Sequence, residues 1–150
     1  MTSDRYFEDY VPGVTYDCGS VEVSEADILE FARHYDPQSF HVDPAAAAKG
    51  PFGGLIASGW HTASLMMRLY ADHYLSAGSS LGSPGVDELR WPRPVRPDAV
   101  LRLRATVLEA RLSRSKPDRG LVRTRVELVD GGDDIVFSAS LLNLILVRPG

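Results

Sequence analysis

The stretch Asp36-Pro-Gln-Ser-Phe-His41-Val-Asp43-Pro-Ala-Ala-Ala-Ala-Lys-Gly-Pro-Phe-Gly-Gly-Leu-Ile-Ala-Ser58-Gly59-Trp-His-Thr-Ala-Ser-Leu-Met-Met67 decides how the chain is read. A carboxylate and an imidazole stand five positions apart in a Pro-bearing segment, a glycine-rich connector follows, and a long apolar helix opens at Ser58-Gly59. The first amides of a helix have no intrahelical acceptor and lie at the positive end of its dipole. An acid–imidazole pair beside such amides suits chemistry on a carbonyl compound.

Upstream, Ser24-Glu-Ala-Asp27 has the form of a capping box, with Asp27 in place of the usual Glu or Gln. The helix it opens should carry Ile28, Phe31, Ala32 and Tyr35 on one buried face. Pro37 disfavours helical backbone at Asp36, so the helix should stop near Tyr35. Asp43-Pro44 is a helix start, with Asp43 as N-cap, and Gly50-Pro51 ends the short Ala45–Ala48 run. Asp36 and His41 are therefore expected on a loop pinned at both ends.

Downstream, the helix is expected from about Trp60 to Leu75. Its polar stripe is only Ser64, Arg68 and Asp72, with Trp60, Ala63, Leu65, Met66, Met67, Leu69, Tyr70, Ala71 and Tyr74 around it. A helix apolar over most of its circumference must be wrapped. The wrapping comes from strands. Thr15 to Val23 precedes the helices, and Val86 to Trp91 follows a flexible loop at 78–85. Pro92 to Pro97 then interrupts the sheet. Leu101, Leu103, Ala105 and Val107 alternate with polar residues, as do Val122, Thr124, Val126 and Leu128. Asp130-Gly-Gly-Asp133 is a tight hairpin. The last strand, Ile135 to Val147, is apolar on both faces from Leu141 onward except at Asn143, which marks a central or interface strand. An entry arm, residues 1–13, should bury Tyr6, Phe7 and Tyr10. The result is an α+β domain over 1–150: a curved antiparallel sheet around one long central helix.

Composition narrows the function classes. The 150 residues fit one domain able to bury a sizeable core without disulfides. A net charge of −4 supplies no basic field for nucleic acid. The one cysteine, Cys18, cannot form an internal disulfide, which fits a reducing compartment. The N-terminal residues are charged where a signal peptide is apolar, and no run approaches 18 apolar residues, so a cytoplasmic protein with no membrane span is expected.

Three segments carry a resemblance. Asp36-Pro-Gln-Ser-Phe-His41-Val-Asp43 resembles the Asp-x-Asn-Pro-x-His-x-Asp signature of the MaoC-like, R-specific enoyl-CoA hydratases. Ile56-Ala-Ser-Gly59-Trp-His-Thr-Ala-Ser64 resembles the helix entry that follows it there, and Arg90-Trp-Pro-Arg-Pro-Val95-Arg-Pro-Asp98 resembles a later Pro-Val-x-x-Gly-Asp segment. The order matches, and the three together cover most of the chain. The resemblance implies a hotdog fold, a homodimer or dimer-based oligomer, and an acyl-CoA substrate bound near the subunit interface. It further implies interconversion of trans-2-enoyl-CoA and 3-hydroxyacyl-CoA. It places Asp36 and His41 on the catalytic pair and Gly59 on the oxyanion-binding amide, with no cofactor beyond the CoA thioester and no metal. Two positions depart from the pattern: Gln38-Ser39 replaces Asn-Pro, and Met67 stands where some members carry serine.

The remaining candidates divide between function and plain structure. Ser58 is a helix cap or a thioester neighbour, and with Trp60 and Met67 it is expected against the substrate. Asp43 caps a helix. His34, His61 and His73 lack metal-site spacing, and Gly53-Gly54 lacks the Lys-Ser/Thr of a phosphate loop. Arg90, Arg93 and Arg96 form either a solvated rim or a contact for the CoA phosphates. A hotdog acyl-CoA thioesterase and a non-catalytic acyl-thioester-binding subunit remain alternatives.

Overall fold

The computed structural model describes residues 4–150. A 3-10 turn (Phe7–Asp9) leads into β1 (Thr15–Val23), α1 (Glu25–Tyr35), α2 (Ser39–Val42), α3 (Pro44–Ala48) and α4 (Gly59–His73). Then come β2 (Val86–Arg90), β3 (Ala99–Leu112), β4 (Arg119–Val129) and β5 (Ile135–Leu146). The strands form one sheet in the order β1-β3-β4-β5-β2, antiparallel at every pairing.

The alternation seen in the sequence sets the buried face. Leu101, Leu103, Ala105 and Val107 of β3 and Val122, Thr124, Val126 and Leu128 of β4 all point inward and are buried. They pack with Met66, Leu69 and Tyr70 of α4 in one core. This is the hotdog arrangement. β5 pairs with β4 on one side and β2 on the other, so its doubly apolar end is central, as expected. Its one polar residue there, Asn143, is buried and accepts from the Tyr70 hydroxyl of α4 at 2.6 Å. The C-terminal end of α4 is closed from the N-terminal arm. The Arg5 guanidinium donates to the carbonyls of His73 and Tyr74 at 2.7 and 3.0 Å, and the Tyr10 hydroxyl donates to Tyr74 O at 2.7 Å. Those donors satisfy carbonyls that a helix end leaves open.

Several expectations need correction. Residues 39–42 are a helical turn, not a loop, because the His41, Val42 and Asp43 amides find carbonyl acceptors at Gln38 and Ser39. Segment 78–85 is not a free loop either. Bonds from Leu81 N to Leu144 O, Leu144 N to Gly82 O and Leu146 N to Ser79 O lay it along β5 as an irregular extension of β2. Of the expected buried face of α1, Ile28 and Ala32 are buried, Phe31 is half-buried, and Tyr35 is 75% exposed because the helix ends there beyond the core. Tyr10 is buried, whereas Tyr6 and Phe7 are half-buried. The first three residues of the expected arm lie outside the described residues. Finally, α4 is not enclosed all round. One sheet face covers only part of a helix, and Trp60 and Met67 remain 59% and 42% exposed in the single chain. Among the described residues, no helix is long and apolar enough to cross a membrane.

Candidate functional site

Asp36 follows α1 directly. Its amide bonds to Ala32 O at 2.8 Å, and its φ of −155° turns the chain out of the helix ahead of Pro37. The carboxylate is held at both oxygens. Gln38 Nε2 donates to Oδ1 at 2.7 Å, and Ser58 Oγ donates to Oδ2 at 2.7 Å. Gln38, one of the positions that depart from the expected pattern, thus braces the acid directly.

His41 lies on the single turn of α2, and its Nε2 is 3.4 Å from Asp36 Oδ2. The side chains of His41 and Asp36 are only 6% and 17% exposed. His41 Nδ1 sits 2.7 Å from Ile56 O. A carbonyl can only accept, so Nδ1 carries the hydrogen and a neutral ring presents its Nε2 lone pair on the Asp36 side. Ile56 is placed for this by its own amide, which bonds to Phe40 O at 3.1 Å, and by Ala57 N to Val95 O at 2.8 Å. The glycine-rich connector therefore ends as an extended strap between the His41 turn and the segment after β2.

Burial alone would raise the Asp36 carboxyl. The hydrogen bonds from Ser58 and Gln38, with the positive charge His41 carries when protonated, outweigh it and hold the acid below the ordinary aspartate value.

Ser58 is fully buried and caps α4, accepting from Trp60 N at 3.3 Å. Gly59 is the first residue of α4, and among the described residues its N–H has no protein acceptor. Trp91, just after β2, lies against it: the indole N–H donates to Gly59 O at 2.8 Å, and a Cβ on residue 59 would fall 2.5 Å from the ring.

These groups border one open cavity of about 490 Å³. Asp36, Gln38, His41 and Gly59 supply its polar wall, and Phe40, Phe52, Ile56, Trp60, Trp91 and Val95 much of its apolar one. Such a mixture of apolar surface with a few convergent polar groups is what small-molecule sites present. Of the residues expected around the substrate, Trp60 lines the cavity. Ser58 instead turns its hydroxyl to Asp36, and Met67 lies two helical turns beyond Trp60, about 11 Å along the axis, outside the lining. The arginine cluster splits. Arg93 lines the rim and pairs with Asp134 at 3.5 Å, Arg96 donates to Phe52 O at 2.5 Å, and Arg90 is exposed and outside the lining. Trp91, Phe40 and Phe52 were not singled out from the sequence. No local pattern marks them: Phe40 sits beside His41 on α2, Phe52 on the glycine-rich connector and Trp91 just after β2, and only the fold brings the three to one wall.

A family model described as "MaoC like domain" matches residues 10–130. A Bacillus subtilis protein, YdeM, is 28% identical over 92% of this chain and 96% of its own length. The 3-hydroxyacyl-thioester dehydratase Z of Mycobacterium tuberculosis is 30% identical, covering 73% of this chain and 74% of its own. The crystal structure of a MaoC-like dehydratase from Rhodospirillum rubrum superposes with a TM-score of 0.91 at 36% identity, over 98% of this chain and 100% of that one. A further Mycobacterium tuberculosis protein, described as a double hotdog fold, has a TM-score of 0.79 at 19% identity over 97% of this chain and 45% of that one, a likeness of fold alone.

Proposed function

The chain belongs to the MaoC-like domain family, and from that premise we propose that it is a hydratase/dehydratase interconverting trans-2-enoyl-CoA and 3-hydroxyacyl-CoA by syn addition of water. One observation carries the reading: the Asp36–His41 pair and the Gly59 amide, which has no acceptor among the described residues, border the same cavity.

In the hydration direction, a water binds between Asp36 and His41. The carboxylate accepts one of its hydrogens as a hydrogen bond, and His41 Nε2 takes the other as a proton. The water oxygen bonds to C3 of the enoyl group, and the double-bond electrons move toward the thioester carbonyl. The Gly59 N–H, backed by the dipole of α4, holds the charge that builds on the thioester oxygen. Protonated His41 then returns the proton to C2 on the same face, and one water has been added. A single oxyanion donor is worth about 2.7–4 kcal/mol of transition-state stabilisation and a positioned acid or base roughly 10²–10⁴ in rate. These steps call only on water and on the chain's own groups.

The active unit is proposed to be a homodimer. β2 is an edge strand with Val86 exposed, and the open stripe of α4 shows Trp60 and Met67. A second copy would cover this apolar surface. Light scattering should give twice the chain mass.

The test is a panel of trans-2-enoyl-CoA thioesters of increasing length, followed by loss of the conjugated enoyl absorbance and by chromatography of the 3-hydroxyacyl product. Release of free CoA without hydroxyacyl product would replace the reading with a thioesterase. Binding without turnover of any thioester would replace it with a carrier of acyl thioesters.

A further inference from the structure

We propose that Ser58 is a positioning residue: its hydroxyl locks the Asp36 carboxylate to the N-terminus of α4, so that the acid–imidazole turn and the Gly59 amide keep one fixed geometry. The role rests on the hydratase reading, but the coupling itself does not.

The atoms leave little freedom. Ser58 is fully buried, and its oxygen accepts from Trp60 N at 3.3 Å. With the lone-pair side facing that amide, the hydroxyl hydrogen is free for Asp36 Oδ2, 2.7 Å away. A charge-assisted bond of this length is stronger than a neutral one. Asp36 sits at the end of α1 and Gly59 at the start of α4, 23 positions later. The chain between them contains two short helices and a glycine-rich turn, which by themselves do not define the distance from acid to amide. Two side chains shorten that path. The Ser58 bond ties the carboxylate to the residue next to Gly59, and the bond from His41 Nδ1 to Ile56 O ties the imidazole to the same strap. Around the carboxylate stand His41 from α2 and Gln38 from the turn after α1, with Arg93 on the rim of the same cavity after β2. Ser58 is the group that reaches it from α4.

A plain helix cap would behave differently. Asn at position 58 can cap α4 as well as serine does, but its longer, branched amide does not reproduce a hydroxyl poised between Trp60 N and Asp36. Thr keeps the hydroxyl.

The experiment compares Ser58→Ala, Ser58→Asn and Ser58→Thr with the unsubstituted chain. Two readouts are taken: the pH profiles of kcat and kcat/KM for enoyl-CoA hydration, and titration of the Asp36 carboxyl by carbon NMR. A misplaced catalytic group costs up to about a hundredfold. Ser58→Ala and Ser58→Asn should therefore lower kcat by about tenfold to a hundredfold with KM little changed, and move the acid limb to higher pH. Ser58→Thr should recover most of the rate. In Ser58→Ala the Asp36 carboxyl should titrate at higher pH. An unmoved carboxyl titration, or Ser58→Asn matching the unsubstituted rate and acid limb, overturns the proposal. If no enoyl-CoA is hydrated by the unsubstituted chain, the hydratase reading fails, and the NMR titration still decides whether Ser58 holds Asp36.

Discussion

Trp91 and Gly59 are fitted to each other: the indole nitrogen donates to Gly59 O at 2.8 Å while its ring occupies the space of any side chain at position 59. The backbone of Gly59 is not left-handed, so the glycine is there for close approach rather than for conformation. This makes the opening residue of α4 dependent on a residue 32 positions away at the end of β2. Gly59→Ala should destabilise the chain by about 1–3 kcal/mol through overpacking. Because the opposed atoms belong to one ring, Gly59→Ala combined with Trp91→Ala should be more stable than the sum of the two single losses. Urea denaturation of the four proteins gives the coupling energy directly. Simple additivity would mean that the ring does not pack where the structure has it.

The Asp36–His41 pair gives the second prediction. Asp36→Asn keeps the side-chain shape but removes the charge, and His41→Gln keeps a polar side chain but removes the basic ring nitrogen. Each should lower enoyl-CoA hydration by at least roughly 10²–10⁴. Thermal melts should remain cooperative, because neither side chain belongs to the core beneath α4. Hydration at the unsubstituted rate in either variant would remove the proposed mechanism.

How much of this was legible in the chain depends on whether the signal was local. Ser24 and Asp43 cap their helices, accepting from the Asp27 and Ala46 amides at 3.1 Å each, although among the described residues no return bond from Asp27 completes the box expected at Ser24. Alternation along β3 and β4 reports burial on one sheet face, and it is obeyed at every inward position from Leu101 to Val107 and Val122 to Leu128. The turn carrying His41 was harder, because four residues of helix leave no periodicity to detect. Nor does an apolar helix say which part of its surface the same chain covers, so Trp60 and Met67 were expected under cover that one sheet does not provide. The cavity was half legible. Asp36, His41 and Gly59 sit close in sequence, but Trp91 and Val95 reach them only through the path of the Pro-rich segment.

The depressed Asp36 carboxyl makes stability depend on pH with a definite sign. A group whose folded value lies below its unfolded one binds fewer protons when folded. Its contribution is therefore fully present above the unfolded value, about 3.9, and is lost as the pH falls through the folded value. Asp36→Asn lacks this contribution at every pH. The stability gap between the two proteins, measured by urea denaturation, should be largest near neutrality and shrink on acidification below about pH 4. A gap that widens in acid would mean that Ser58 and Gln38 do not outweigh the burial of the carboxylate.

The last prediction concerns the bond that ties α4 to the sheet. Tyr70 is fully buried, and its hydroxyl donates to Asn143 Oδ1 at 2.6 Å, across from α4 to β5. Tyr70→Phe keeps the ring and its stacking on Tyr74, whose centroid is 4.8 Å away, and removes only the donor. The buried Asn143 oxygen is then unsatisfied, at a cost of about 1–3 kcal/mol. Asn143→Leu alone removes the acceptor 2.6 Å from the Tyr70 hydroxyl and leaves that buried group with Thr124 beside it. Replacing both partners removes the unpaired atoms together, so Tyr70→Phe with Asn143→Leu should recover much of what either change loses alone. A double variant as unstable as the sum of the singles would show that the asparagine in the apolar run of β5 is held by something other than Tyr70.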